Sequence, residues 1–124
     1  VDQKGNIQSG SNSIKKILGG CVIEENFTGS GEPPFLGKSV SVYSTYTKKW
    51  HQTWVDNVGG YLDLIGEYKD GKMILGMEFM LNGKKTMQRM IFYDIKPDSF
   101  LWNWERSDDG GMTWNVMWKI NYKR

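Results

Sequence analysis

The sequence predicts an all-β fold, an antiparallel up-and-down meander of about nine strands closing into a barrel, and three observations carry that expectation. The composition is one: alanine is absent from the 124 residues while six Trp and six Tyr are present, which disfavours helices and suits pleated surfaces. The turns are another. From Gly37 onward Thr47-Lys48-Lys49, Asn57-Val58-Gly59-Gly60, Asp70-Gly71, Asn82-Gly83 and Lys96-Pro97-Asp98 separate strand-like runs, and Asp-Gly or Asn-Gly between apolar runs marks a type I′ hairpin, whose two central residues both need positive φ. Last, a meander of this length leaves two open edges unless it curls, and closure removes them.

Taken in order, two strands come before Gly37, near residues 6–17 and 21–28, and Ser13 to Leu18 is a candidate short helical turn. The Gly29 to Pro34 stretch is the irregular connection, read either as a lid across a barrel mouth or as an ordinary surface loop. Seven strands follow at 38–46, 50–56, 61–69, 72–81, 84–94, 99–107 and 112–123. Length and pattern together describe one domain over residues 1–124.

Two-residue loops fix register. Around Asp70-Gly71, Tyr68 is expected to face Met73, Gly66 Leu75, Leu64 Met77 and Leu62 Phe79. Around Asn82-Gly83, Phe79 faces Thr86, Met77 Gln88, Leu75 Met90 and Met73 Phe92. A three-residue loop at Val58-Gly59-Gly60 brings Trp50, Gln52 and Trp54 onto the same face, opposite Tyr68, Gly66 and Leu64. The expected interior is thus walled by Trp, Met and Leu with Gln52 and Gln88 projecting into it. Two readings stand: a solid core with both glutamines satisfied, or a ligand cavity with a few convergent polar groups. The candidate ligand-binding residues are Trp50, Gln52, Trp54, Leu64, Met77, Gln88, Met90 and Trp104. Beyond Asp94 the register stays open, with either Trp102, Trp104 and Arg106 or Asn103, Glu105 and Ser107 facing inward. Methionines cluster at Met73, Met77, Met80, Met87 and Met90, as a flexible core or an adaptable lining.

Several function classes are disfavoured. Net charge is +2 with Lys and Arg scattered among acids, so no basic stripe invites nucleic acid. The one histidine, His51, alternates away from the Trp50 face, which argues against a catalytic triad, a multi-histidine metal site or a haem ligand. Glu24/Glu25 and Asp108/Asp109 are neighbours that face opposite ways on a strand, so neither makes an acid/base pair. Glu67, Glu78, Arg89 and Glu105 read as exposed cross-strand ion pairs. No catalytic residue, metal site or cofactor is assigned. The single cysteine, Cys21, lies in an apolar run and reads as a buried, inert thiol. There is no signal peptide and no apolar stretch near 18 residues, so no membrane span is expected; a soluble chain, cytoplasmic or exported, fits.

The most specific local signal is Ser107-Asp108-Asp109-Gly110-Gly111-Met112-Thr113-Trp114, which fits the Asp-box pattern Ser-x-Asp-x-Gly-x-Thr-Trp with Ser107, Asp109, Gly111, Thr113 and Trp114 in its fixed places. Its physics is that of a hairpin loop: a carboxylate accepting backbone N–H groups, a glycine at positive φ, and a tryptophan packed beneath. One copy in this length is too little for a sialidase-like propeller. Together with Gly19 to Glu25 and Trp50 to Asp56, the Trp104 to Trp114 hairpin ending in Tyr122 resembles a bacterial family of calycin-like β-barrel domains of unknown function. The resemblance spans nearly the whole chain. It implies a lipocalin-like or fatty-acid-binding-like barrel whose relatives hold small apolar or amphipathic molecules. It also implies an aromatic-rich strand ahead of Val1, missing here, so that an edge is solvated, covered by Val1 to Ile7, or paired with a second copy as a homodimer.

The leading expectation is therefore a small-ligand-binding barrel for an apolar or amphipathic molecule, with Gln52 and Gln88 orienting its polar end. The alternatives are a solid barrel acting as an interaction or dimerisation module through Tyr43, Tyr46 and Trp118, and a hydrolase suggested by the Asp-box, for which no nucleophile with a paired base can be assembled.

Overall fold

A computed structural model describes residues 9–123 as an all-β meander. Nine strands are hydrogen-bonded in chain order: β1 (Ser11–Ile17), β2 (Val22–Thr28), β3 (Leu36–Ser44), β4 (Lys49–Asp56), β5 (Tyr61–Lys69), β6 (Lys72–Leu81), β7 (Lys84–Lys96), β8 (Ser99–Ser107) and β9 (Asn115–Lys123). Every pairing with a defined register is antiparallel. The expected covering of an edge by Val1 to Ile7 lies outside the described residues. The chain forms two compact units, residues 9–65 and 66–123, with β5 beginning in one and ending in the other.

Turn chemistry explains the hairpins. Asp70 and Gly71 (φ 54° and 77°) and Asn82 and Gly83 (φ 53° and 76°) both have the two positive φ values of a type I′ turn. At β6–β7 the pairs are Phe79 with Thr86, Met77 with Gln88, Leu75 with Met90 and Met73 with Phe92, as the turn requires. The β4–β5 loop departs from expectation. Asp56 N–H donates to the Gly60 carbonyl at 3.2 Å, so the loop is Asn57-Val58-Gly59, with Gly59 at φ 85°. The pairing shifts by two residues, bringing Thr53 beside Asp63, with their side chains 3.5 Å apart. An even shift leaves every side chain on its expected face.

Two local expectations are corrected. Ser11–Ile17 is a strand paired with β2, because the ladder satisfies its backbone groups, and helical character is confined to Leu18–Gly20, where three successive positive φ values turn the chain back. Cys21 sits in this turn and is exposed rather than buried. The Gly29 to Pro34 loop is pinned: Gly29 N–H donates to the Phe35 carbonyl, and Asn57 Nδ2 donates to the Pro34 carbonyl while its Oδ1 accepts from Leu36 N–H.

In residues 66–123, one sheet face carries Met73, Leu75, Met77 and Phe79 from β6, Thr86, Gln88, Met90 and Phe92 from β7, and Trp102, Trp104 and Arg106 from β8. The open question beyond Asp94 is resolved in favour of the tryptophans because a bulge between Tyr93 and Lys96, with Asp94 at φ 51°, absorbs the extra residues of the turn. Met80 and Met87 fall on the opposite face, so the methionines are split between the two sides of the sheet. Buried apolar side chains among the described residues are few, Leu64, Leu75 and Met90, whereas Ser39, Ser41, Gln52, Thr86, Glu105 and Ser107 are buried polar groups. That excess of polar groups makes their hydrogen-bond accounting the way to find a site.

Candidate functional site

In residues 9–65 the alternation of β3 sends Gly37, Ser39, Ser41 and Tyr43 to one face and Lys38, Val40 and Val42 to the other. The same alternation on β4 puts Trp50, Gln52, Trp54 and Asp56 opposite Tyr43, Ser41, Ser39 and Gly37. On the other side of β3, Ile23, Glu25 and Phe27 pair with Ser41, Ser39 and Gly37, and Ile14 and Asn12 continue the rows on β1. A polar stripe therefore crosses four strands: Asn12, Glu25, Ser39 with Ser41, and Gln52.

Aromatic groups close both ends of the stripe. Beyond Ser41, Tyr43 meets Trp50 edge to face with centroids 5.7 Å apart. Beyond Ser39, Phe27, Phe35 and Trp54 form a three-ring cluster with centroids 6.2–6.5 Å apart. Trp54 lies across Gly37, where a Cβ would collide with its ring. The indole is also tethered, its Nε1 donating to Asp56 Oδ2 at 3.0 Å. Asp56 Oδ1 accepts from Val58 and Gly60 N–H at 3.0 and 2.7 Å. Partial burial pushes the Asp56 carboxyl up, but the bonds from Trp54, Gly60 and Val58 outweigh it and hold the group below its ordinary value.

Hydrogen bonding along the stripe is incomplete. Glu25 accepts from Asn12 Nδ2 at 2.6 Å and from Ser39 Oγ at 2.8 Å, and Gln52 Nε2 donates to Ser41 Oγ at 3.0 Å. The oxygens of the two amides, Asn12 Oδ1 and Gln52 Oε1, are buried and accept nothing from the described residues. Gln52 as a whole is only 6% exposed. Leaving such an acceptor unmade costs about 1–3 kcal/mol.

Of the ligand-binding residues expected from sequence, Trp50, Gln52, Trp54 and Leu64 belong to this unit, and the first three line the stripe. Met77, Gln88, Met90 and Trp104 share a face of residues 66–123: Met77 is opposite Gln88, and Met90 and Trp118 flank Trp104. Asn12, Glu25, Ser39 and Ser41 were not anticipated. Their signal was present in the small polar alternation of Ser39 and Ser41, but joining it to Glu25 requires register across the irregular Gly29 to Pro34 loop.

The opposite face of residues 66–123 holds a second polar network, and this one is closed. Arg89 Nε donates to Glu105 Oε1 at 2.9 Å; Asn103 Nδ2 donates to Glu105 Oε2 at 3.1 Å, and Tyr93 Oη to Asn103 Oδ1 at 3.2 Å. Glu105 is only 7% exposed, so this pair is not the surface ion pair expected; Glu78 with Lys85 is. The Arg89 guanidinium lies 3.7 Å from the centroid of the Trp114 ring and so fastens the Ser107 to Trp114 loop to the sheet. Within that loop Asp109 accepts from Thr113 Oγ1, from Thr113 N–H at 2.9 Å, from Ser107 Oγ at 2.8 Å and from Met112 N–H at 3.0 Å. These bonds, the Thr113 hydroxyl foremost, hold its carboxyl far below the ordinary carboxylate range. Ser107 is fully buried and accepts from Gly111 N–H, Gly111 has φ 94°, and Trp114 Nε1 donates to the Gly111 carbonyl.

Among the described residues no His, Cys, Asp and Glu groups gather to hold a metal, and no helix is long and apolar enough to cross a membrane. His51 faces away from the stripe and bonds Thr47 Oγ1 through Nε2 at 2.9 Å. No family model matches the chain, and no curated protein shows significant similarity to it.

Proposed function

We propose that this chain binds a small amphipathic molecule on the face of residues 9–65 that carries Asn12, Glu25, Ser39, Ser41 and Gln52, with the ligand's polar end over that stripe and its apolar body against the Trp54 and Trp50 groups. The single observation behind this reading is Gln52, nine-tenths buried with a carbonyl oxygen that nothing in the described chain satisfies. Buried polar groups are nearly always paired in folded proteins, and an exception points to a partner from outside the chain. Polar groups fixed between aromatic walls are also the usual make-up of a small-molecule site. The same reading takes the meander to curl toward the calycin-like barrel that the sequence resemblance implies.

Native mass spectrometry of the purified protein, before and after mild denaturation, tests this directly. A small molecule released on denaturation is the expected result. Gln52→Leu sharpens the test: exchanging an unsatisfied amide for an apolar side chain of similar size should leave stability within about 1 kcal/mol of the parent while ligand occupancy drops. Lost stability with occupancy retained would assign Gln52 to the scaffold and overturn the reading.

A further inference from the structure

Charge on the stripe specifies the ligand further, and this step rests on the reading above. Glu24 and Glu25 are neighbours with opposite fates. Glu24 turns to the other face and meets Lys38 Nζ at 3.3 Å. Glu25 turns to the stripe, where both its partners are neutral, the Asn12 amide and the Ser39 hydroxyl. Among the described residues no Lys or Arg reaches it, whereas the strand carboxylates Glu78 and Glu105 both have cations. Ile14, not a base, stands directly opposite Glu25 on β1, and Lys16, two residues along, makes no ion pair with it. A part-buried carboxylate held only by neutral donors keeps its charge uncompensated, and such charges are ordinarily paired.

The amides tell the same story. An ionised carboxylate has no proton to give, so Asn12 must present Nδ2 to Glu25, which leaves Oδ1 as the acceptor facing away. Gln52 likewise gives its Nε2 to the Ser41 hydroxyl, which leaves Oε1 as the unused acceptor. What the stripe offers an incoming group is therefore one negative charge and two carbonyl oxygens that accept nothing from the described residues.

We infer that the ligand's polar end is a cationic hydrogen-bond donor, an ammonium group carried on an apolar body, with Glu25 as counter-ion and the Asn12 and Gln52 carbonyls as acceptors. A carboxylate-headed amphiphile of the fatty-acid kind is disfavoured by the same charge. The test is a titration of the full chain with octylammonium, octanol and octanoate, read by tryptophan fluorescence and by calorimetry. Octylammonium should bind about ten-fold or more tighter than octanol, and octanoate weakest. Glu25→Gln, which keeps the shape and both neutral partners, should bring octylammonium down to the octanol affinity and leave octanol unchanged. Glu24→Gln, one residue away on the other face, should change nothing. Octanoate binding as tightly as octylammonium, or an amine preference that survives Glu25→Gln, would overturn the inference while leaving the binding face in place. Should Glu25→Gln not fold, the amine-over-carboxylate order in the parent protein decides alone. No saturable binding of any of the three would remove the binding face itself.

Discussion

Substituting Gly37 by alanine tests how the aromatic end of the stripe is built. Gly37 is in extended backbone within β3, where alanine on its own should be neutral or stabilising by about 0.4–1 kcal/mol, because the unfolded chain loses freedom. The structure reverses that sign. A Cβ at this position would stand 3.1 Å from Trp54 Cζ3 and closer still to Cζ2 and Cη2, against an ordinary carbon contact of ~3.5–4.0 Å. The indole must retreat by roughly 1 Å or more, and it is held by its bond to Asp56 and its stacking on Phe35. Overpacking of this kind costs about 1–3 kcal/mol, so the net destabilisation is on the order of 1–2 kcal/mol. For a chain of this size that lowers Tm by roughly 3–10 °C. Thermal melts of the parent, Gly37→Ala, Trp54→Leu and the double variant form a double-mutant cycle. In the Trp54→Leu background the alanine penalty should disappear. A Gly37→Ala protein as stable as the parent, or a penalty of equal size without the indole, would refute the placement of Trp54 over Gly37.

Two further outcomes follow from the other polar groups. Arg89→Leu should destabilise by on the order of 3 kcal/mol because it leaves the Glu105 carboxylate buried and unpaired, and Arg89→Leu with Glu105→Leu should recover most of that loss in urea melts; an additive double variant would contradict the pairing. Asp109 supplies a pH signature. Its folded carboxyl titrates below its unfolded value, so its contribution is complete above the ordinary carboxylate range near 4 and is lost as pH falls toward the folded value. The stability gap between the parent and Asp109→Asn should therefore be widest at neutral pH and narrow on acidification to roughly 2.5, and a gap independent of pH would count against the hydrogen-bonded loop.

The meander was legible in the sequence wherever turn chemistry leaves one solution. Asp70-Gly71 and Asn82-Gly83 each need two positive φ values, and once the turn is set the period of two places every later side chain. Legibility failed where the count of loop residues is ambiguous. Around Asn57 to Gly60 the closing bond comes one residue earlier than the glycine pair suggested, and between Tyr93 and Lys96 a bulge carries Asp94 at positive φ, which no side-chain pattern announces. Trp50, Gln52 and Trp54 could be put on one face from alternation within a single strand. Glu25 could not, because its partners Asn12 and Ser39 come from strands on either side of it and across an irregular loop.

The chain contains its own control for reading an incomplete network as functional. Glu105 and Glu25 are each set into a strand, and each is held by an asparagine amide. At Glu105 every remaining demand is met: Arg89 neutralises the charge, Tyr93 donates to the Asn103 carbonyl, and Trp114 covers the guanidinium. A network that is complete without help rigidifies the fold, and its consequence is the docked Ser107 to Trp114 loop. At Glu25 the same construction stops short, with no cation among the described residues, an idle Asn12 carbonyl, and an idle Gln52 carbonyl on β4 opposite Ser41, two residues along β3 from Ser39. A sequence able to close one such network has the residue types to close the other, and placing a base where Ile14 stands would be enough. As proposed above, the partner that closes it is a positively charged donor bound at the unsatisfied atoms.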